Sequence, residues 1–304
     1  MSQFLRVKTA KEVLSIVREF APLPAESVPL QDGVGRVPAS NLFSPEAVPH
    51  FDRAVMDGYA VRARDTFGAS ETLPALLEVD GEIHMGEPAA HPLQPGKAIL
   101  IPTGGMLPPG ADAVVMVEYC LPLDERTIEV TKPVAPGDHV LKRGEDIEEG
   151  RRLIPAGSRL RSQDIGVLAA VGITELTVFR KPRVAVFSTG DEVVPAETRD
   201  LPPGKVRDIN AYTLSSHLRG RGFEVDTFSV VPDRLEVLVD TTRRLLEDHD
   251  VVVLSGGSSV GARDYTLKIL DSLPDGELLV HLSLIHISEP TRLLSISYAV
   301  FCLK

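Results

Sequence analysis

The sequence predicts an α/β fold: a three-layer domain on a parallel-rich sheet, preceded by a proline- and glycine-rich, mainly β region that opens with a helix. Three observations carry that prediction. Uninterrupted apolar runs at 183–187 (RVAVF) and 251–254 (VVVL) suit strands buried on both faces. Helix-period segments alternate with such runs from Lys181 onward, the βαβ pattern, and right-handed crossovers then put the loops after the strands on one sheet edge. Each of the two runs empties into a loop of glycine, hydroxyl and carboxylate residues, and ligands in open α/β sheets bind at that edge.

The elements follow in order. Residues 9–20 (TAKEVLSIVREF) read as a helix, with Thr9 as cap and Glu12 at capping-box spacing. Ala10, Val13, Leu14, Val17 and Phe20 fall along one face of it. Residues 24–44 read as a short β segment turning at PLQDG. Between Pro45 and about Pro155 the apolar runs are short and split by GEPAAHPLQPG, GGMLPPGAD and APGDH, which points to compact β structure. Residues 162–171 read as a helix capped by Ser162 and stopped at Gly172. Then come a strand at 183–187, a helix at 209–221, a strand at 223–230 and a turn at 231–233. A helix at 235–246, a strand at 251–254 and a helix from Tyr265 complete the pattern.

Composition narrows the function. With 304 residues and 43% hydrophobic content the chain can build a core, in two domains. A formal charge of −11 argues against nucleic-acid or anionic-membrane partners. The mean hydropathy of +0.05 and the lack of an 18-residue apolar stretch argue against a membrane span. The N-terminus lacks the apolar core of a signal peptide, and Cys120 and Cys302 form no metal motif. A cytoplasmic protein with reduced thiols is the expectation.

The chemistry concentrates in two loops. In 251–264 (VVVLSGGSSVGARD), Ser255, Gly256, Gly257, Ser258 and Gly261 let backbone amides and hydroxyls converge on an anion. The spacing is neither the dinucleotide fingerprint nor a GK[ST] phosphate loop. After 183–187 come Thr189, Gly190, Asp191 and Glu192. These carboxylates either cap an element and face water or hold a hydrated Mg²⁺ beside a ligand phosphate. Asn210 either contacts the ligand or caps its helix. Asp57 in MDGYAV either serves chemistry or closes an Asx turn, with Gly58 permitting a tight bend. His84, His91 and His139 read as surface residues, and Tyr59 and Met56 as packing.

Four blocks carry a family resemblance: FDRAVMDGYAVRARD (51–65), IPTGGMLPPGADAVVMVE (101–118), FSTGDEVV (187–194) with INAYTL (209–214), and VVVLSGGSSVGARDYT (251–266). In their order and spacing the chain resembles the molybdopterin molybdenumtransferase family, which includes the gephyrin E domain. The resemblance implies a homodimeric enzyme of molybdenum cofactor biosynthesis. It would insert molybdate into adenylylated molybdopterin with Mg²⁺-dependent release of AMP, in a cleft shared between subunits, with molybdopterin adenylyltransferase as pathway partner. Family roles fall on Asp57, Thr103, Glu192, Asp233 and Asp264, with Glu192, Asp233 and Asp264 as metal ligands. Substrate contacts fall on Thr189, Gly190, Asp191, Asn210, Ser255, Gly256, Gly257, Ser258 and Gly261. Many members carry a second aspartate where this chain has Arg234. Two other readings stand beside this one: the sibling adenylyltransferase, which lacks the FDRAVMDGYAV region, and a non-catalytic gephyrin-like scaffold.

The resemblance divides the chain into an N-terminal region (1–180), which contributes to dimerisation and to the partner's site, and a molybdopterin-binding α/β domain (181–281). Residues 282–304, which include SLIHISEPTR, resemble translated sequencing adaptor. They are expected to be a non-native tail in place of the family's KPGKP-type loop and C-terminal β domain, packing poorly and leaving the activity of the shortened chain in question.

Overall fold

A computed structural model of the protein describes residues 7–256, 262–274, 276–280, 282–283 and 298–302. The chain divides into two compact units, one made of Met1–Ser27 with Thr177–Lys304 and the other of Val28–Leu176. The leading helix thus groups with the α/β part, whereas the sequence reading placed it in the 1–180 region.

Helix α1 (Ala10–Arg18) starts as its sequence predicts. The Thr9 hydroxyl accepts the Glu12 amide, and the Glu12 carboxylate takes the Thr9 amide in return, so two amides that a helix start leaves unpaired are satisfied reciprocally.

The Val28–Leu176 unit is built on a six-stranded sheet of β1 (Gly58–Val61), β2 (Ala75–Glu82), β3 (Lys97–Ile101), β4 (Ala113–Met116), β5 (Cys120–Pro122) and β6 (Thr127–Val130). Their order is β4-β1-β3-β2-β6-β5, with β2 and β3 parallel and the other pairs antiparallel. Alternate residues feed two cores: Val61, Leu77, Val115 and Ile128 lie on one face, and Ala60, Ile99, Ile101 and Val114 on the other. Burial on both faces explains why β4 reads as an unbroken apolar run and not as an alternating one. Cys120, on β5, is a free thiol that burial, with Glu118 adding, pushes up to about 12, so it stays protonated and unreactive. Helix α2 (Ser162–Ala170) departs from expectation by one residue: Arg161 is the cap, and its amide and guanidinium both donate to Asp164. Gly172, with φ +75°, ends it as predicted.

In the α/β unit, β7 (Arg183–Ser188), β8 (Glu224–Thr227), β9 (Val251–Ser255) and β10 (Tyr298–Cys302) form one sheet in the order β8-β7-β9-β10. The first three are parallel, in the register Val184↔Val251 through Ser188↔Ser255. Helices α3 (Asn210–Gly220), α4 (Leu235–Asp248) and α5 (Ala262–Ser272) cover it. Val184, Val186, Val225 and Val253 pack with Ala211 of α3 on one face, while Ala185, Phe187, Val252 and Leu254 pack with Leu238, Leu245 and Ile269 of α4 and α5 on the other. Helix, sheet and helix make three layers, as the two apolar runs predict. At the opposite, amino edge, Asp250 receives both terminal nitrogens of Arg180 and, at 2.8 Å, the amide of Arg183. Arg180 holds that carboxyl below the usual range.

The end of the chain corrects an expectation. Residues 298–302 pair antiparallel with β9 over five positions, Val251↔Cys302 to Ser255↔Tyr298, and so extend the sheet. The expectation of few long-range contacts for 283–304 does not hold for this stretch, whose main chain takes the free edge of β9.

Candidate functional site

At the carboxyl edge of the α/β sheet the two predicted loops leave side by side. The Thr189 amide donates to the Ser255 carbonyl at 2.8 Å, locking the exit of β7 to the exit of β9. Gly256 follows with φ +144°, and a Cβ there would stand 2.2 Å from the Thr189 carbonyl oxygen. Glycine is therefore required twice, by backbone angle and by the approach of a neighbouring main chain. Gly190 has φ +145° and is buried, so its small size lets the loop turn tightly toward Glu192.

The side chains around this exit fall into two kinds. Thr189 is 4% exposed, and its hydroxyl donates to Asp233 at a long 3.4 Å. Asp191 and Glu192 are both exposed. The Asp191 carbonyl accepts from Lys205, and the Glu192 carbonyl accepts the Val206 amide at 2.8 Å. Ser255 is fully buried, and its hydroxyl has no hydrogen-bond partner among the described residues. A buried, unpaired hydroxyl costs about 1–3 kcal/mol.

Asn210 does not cap α3. It is the first helical residue, and the cap position, Ile209, has no side-chain acceptor. The acceptor is Asp208, which takes the Ala211 amide at 3.1 Å and the Ser188 hydroxyl at 2.9 Å. The sequence reading missed Asp208; the signal available to it was an aspartate immediately ahead of the predicted helix start at 209.

In the Val28–Leu176 unit, two site residues separated by 46 positions meet. Asp57 Oδ1 accepts the Thr103 amide at 2.6 Å and the Thr103 hydroxyl at 2.8 Å. These two bonds, the amide's first, hold the Asp57 carboxyl below its ordinary range. The carboxylate binds a distant turn, so the Asx-turn alternative fails. Gly58 also has a different reason from the expected bend: it lies within β1, where a Cβ would stand 1.9 Å from the Val115 carbonyl oxygen of β4. Met56, read as packing, is 41% exposed beside Asp57, whereas Tyr59 packs against the core as expected.

Gly257, Ser258 and Gly261 lie outside the described residues, as does the side chain of Asp264. Among the described residues no group of three His, Cys, Asp or Glu side chains stands ready to hold a metal ion. Nor does any helix among them have the length and apolarity to cross a membrane.

Comparison with known proteins bears on both regions. Residues 7–172 match the MoeA N-terminal region (domain I and II), and residues 185–292 match a probable molybdopterin binding domain. The second match runs past residue 282, and with the β10 pairing it gives no support to a foreign tail beginning there. A molybdopterin molybdenumtransferase of Nostoc sp. is 39% identical over 248 residues, 82% of this chain and 56% of that protein. One of Staphylococcus epidermidis is 32% identical over 267 residues, 88% of this chain and 63% of that protein. Both figures mean that the chain spans less than two thirds of these relatives. A crystal structure of a molybdopterin biosynthesis MoeA protein from Pyrococcus horikosii superposes with a TM-score of 0.78 at 41% identity, covering 91% of this chain and 69% of that one.

Proposed function

Because the chain belongs to the molybdopterin molybdenumtransferase family, we propose that it inserts molybdate into adenylylated molybdopterin with release of AMP. The observation that carries this reading is the buried Ser255 hydroxyl, without a partner among the described residues, at the joined exits of β7 and β9, with Gly256 pressed against Thr189 beside it. Both substrates are anions. Donors fixed in place before the substrate arrives need no reorganisation when charge develops, and the Ser255 hydroxyl is such a donor.

The acceptors at the same edge suit a hard divalent cation. Glu192 is exposed, and Asp233 is half-buried with one long hydroxyl contact. Together with Asp264 they would hold Mg²⁺, which when bound supplies charge neutralisation at a phosphoryl oxygen. Thr189 orients Asp233 through its hydroxyl, and Asp191 and Glu192 keep the rim wet and acidic. In the other unit, Thr103 keeps Asp57 ionised and fixed in direction, fit to accept hydrogen bonds from water or a protonated oxyanion. A cytoplasmic homodimer with a shared cleft, supplied by molybdopterin adenylyltransferase, is the setting this reading carries. The presence of the Val28–Leu176 unit with its Asp57–Thr103 pair favours it over the adenylyltransferase reading.

The test is product analysis. The chain is incubated with adenylylated molybdopterin, molybdate and Mg²⁺, and nucleotides are separated by chromatography. AMP released only when all three are present supports the proposal. Pyrophosphate from ATP and molybdopterin would move the chain to the adenylyltransferase reading, and neither product would leave the scaffold reading. Asp264→Ala should raise the Mg²⁺ needed for AMP release; an unchanged Mg²⁺ titration would remove Asp264 from the metal site.

A further inference from the structure

We propose that Asp208 is a positioning residue: its carboxylate ties the end of β7 to the first turn of α3 and so fixes the Thr189–Glu192 loop at the sheet edge. The inference builds on the function proposed above, in which that loop presents Glu192.

Asp208 is 7% exposed, whereas Asp191 and Glu192 face solvent and Asp233 has a single long contact. A carboxylate taken out of water is costly unless donors surround it. Here one oxygen, Oδ1, collects two: the hydroxyl of Ser188, the last residue of β7, and the Ala211 amide in the first turn of α3. Both donors are themselves buried, Ser188 at 3% and Ala211 at 1%. The start of α3 adds a favourable field for the negative charge.

What makes this more than a helix cap is where the chain runs between the two donors. From Ser188 it passes through Thr189–Glu192, then through a short ribbon in which Val193–Val194 pairs parallel with Val206–Arg207, and returns at Asp208. The Asp208 amide donates to the Val194 carbonyl at 2.8 Å, and the Val206 amide to the Glu192 carbonyl at 2.8 Å. Asp208 therefore closes the loop's two ends on one another through its side chain and grips the outgoing strand through its main chain. A loop closed in this way has fewer conformations to lose when it binds. Thr189 is held besides by its amide bond to the Ser255 carbonyl, so the tie through Asp208 acts on the stretch beyond it, toward Glu192. Asp208 acts through Ser188 and the ribbon and not by contact with a reacting atom.

The experiment uses the full chain and its Asp208→Ala and Asp208→Asn variants, with two readouts. Asparagine keeps an oxygen that can accept from both Ser188 and Ala211, so it should rescue what alanine loses. In Asp208→Ala, amide exchange across 189–194 should rise about tenfold or more while exchange across β9 stays within about twofold, the scale expected for losing bonds to a charged acceptor. The Mg²⁺ concentration for half-maximal AMP release should rise about tenfold in the same variant, with the rate at saturating Mg²⁺ changing less. Asp208→Asn should return both readouts most of the way. Should alanine prevent folding, Ser188→Ala removes one of the two bonds and should raise exchange in 189–194 alone.

Unchanged exchange in 189–194 would overturn the proposal. So would a uniform rise across the whole sheet without rescue by asparagine, which is the signature of a purely structural core residue. If loop exchange responds but the Mg²⁺ midpoint does not, Asp208 fixes the loop without bearing on the reaction, and the positioning role falls. A wild-type chain that releases no AMP sinks the proposed function, while the exchange readout still decides whether Asp208 holds the loop.

Discussion

The carboxyl edge of the α/β sheet and the Asp57 turn of the Val28–Leu176 unit both offer acidic groups to solvent, but they are assembled by opposite means. At the sheet edge the loop residues follow directly on buried strands, and the two exits are joined by main-chain contacts, Thr189 to Ser255 and Gly256 against Thr189. The Asp57 site rests on a side chain reaching 46 residues along the sequence to a turn. The first is stiff because its backbone is locked. The second is stiff only in the direction of one carboxylate, and only while that carboxylate is ionised.

Glycine substitutions test the backbone half of the comparison and should have the largest effects. Gly256→Ala forces a Cβ to within 2.2 Å of a carbonyl oxygen at φ +144°, and Gly58→Ala to within 1.9 Å of another. Each should cost about 3 kcal/mol or more through overpacking and strain. Amide exchange resolved by unit should show Gly256→Ala loosening β7 and β9, and Gly58→Ala loosening β1 and β4. Normal protection in either variant would show that the close approach can be relieved by a small shift.

A smaller effect belongs to the amino edge of the same sheet. Asp250→Ala leaves Arg180 without its carboxylate and the Arg183 amide without an acceptor, and should cost about 2 kcal/mol in denaturant unfolding. The Asp250 pKa is lowered in the folded state, so its contribution is fully present above the ordinary carboxylate value of 3.8 and is lost as pH falls through the lowered value. The variant's deficit should shrink in acid; a pH-independent deficit would point to packing alone.

For Asp57 the expected change is in titration. Thr103→Val removes the hydroxyl bond and keeps the larger contribution, the amide bond, so the Asp57 pKa should rise part of the way toward 3.8. Carboxyl-carbon NMR would follow it, and no movement would mean that the hydroxyl bond is not formed in solution. The smallest stability change is reserved for Ser255→Ala. Removing a buried hydroxyl that has no partner among the described residues should shift stability by no more than about 0.5 kcal/mol, or raise it. Weakened binding of adenylylated molybdopterin in the same variant, by calorimetry, would show the hydroxyl to be a ligand donor; a clear loss of stability would show that it already has an internal partner.

Much of the α/β unit was legible in advance. RVAVF and VVVL could be read as strands because burial on both faces leaves no polar alternation, and the helix at α1 declared itself through Thr9 and Glu12. The need for glycine right after the second strand was legible too, and Gly256 meets it, with φ +144° and the Thr189 carbonyl pressed close. Less could be read from the β unit. Gly58 was identified as special but for the wrong reason, since a bend and a close strand approach leave the same trace in a sequence. The cap of α2 fell to Arg161 and not Ser162 because Asp164 offered a charged acceptor that outcompetes a hydroxyl for the helix start. The pairing of 298–302 with β9 was missed because its apolar residues follow no clean period.

The sequence by itself determined the fold class, the parallel pairing of the two apolar runs and the residues that leave their ends, because backbone sterics and the period of burial are local properties written into neighbouring residues. The tertiary structure alone decided that Asp57 binds Thr103, that Asp208 and not Asn210 takes the first turn of α3, and that the Ser255 hydroxyl is buried without a partner among the described residues. Those outcomes depend on which donors and acceptors the folded chain brings within about 3 Å of one another. Such encounters are settled by the closure of long loops over a packed core, which no local pattern encodes.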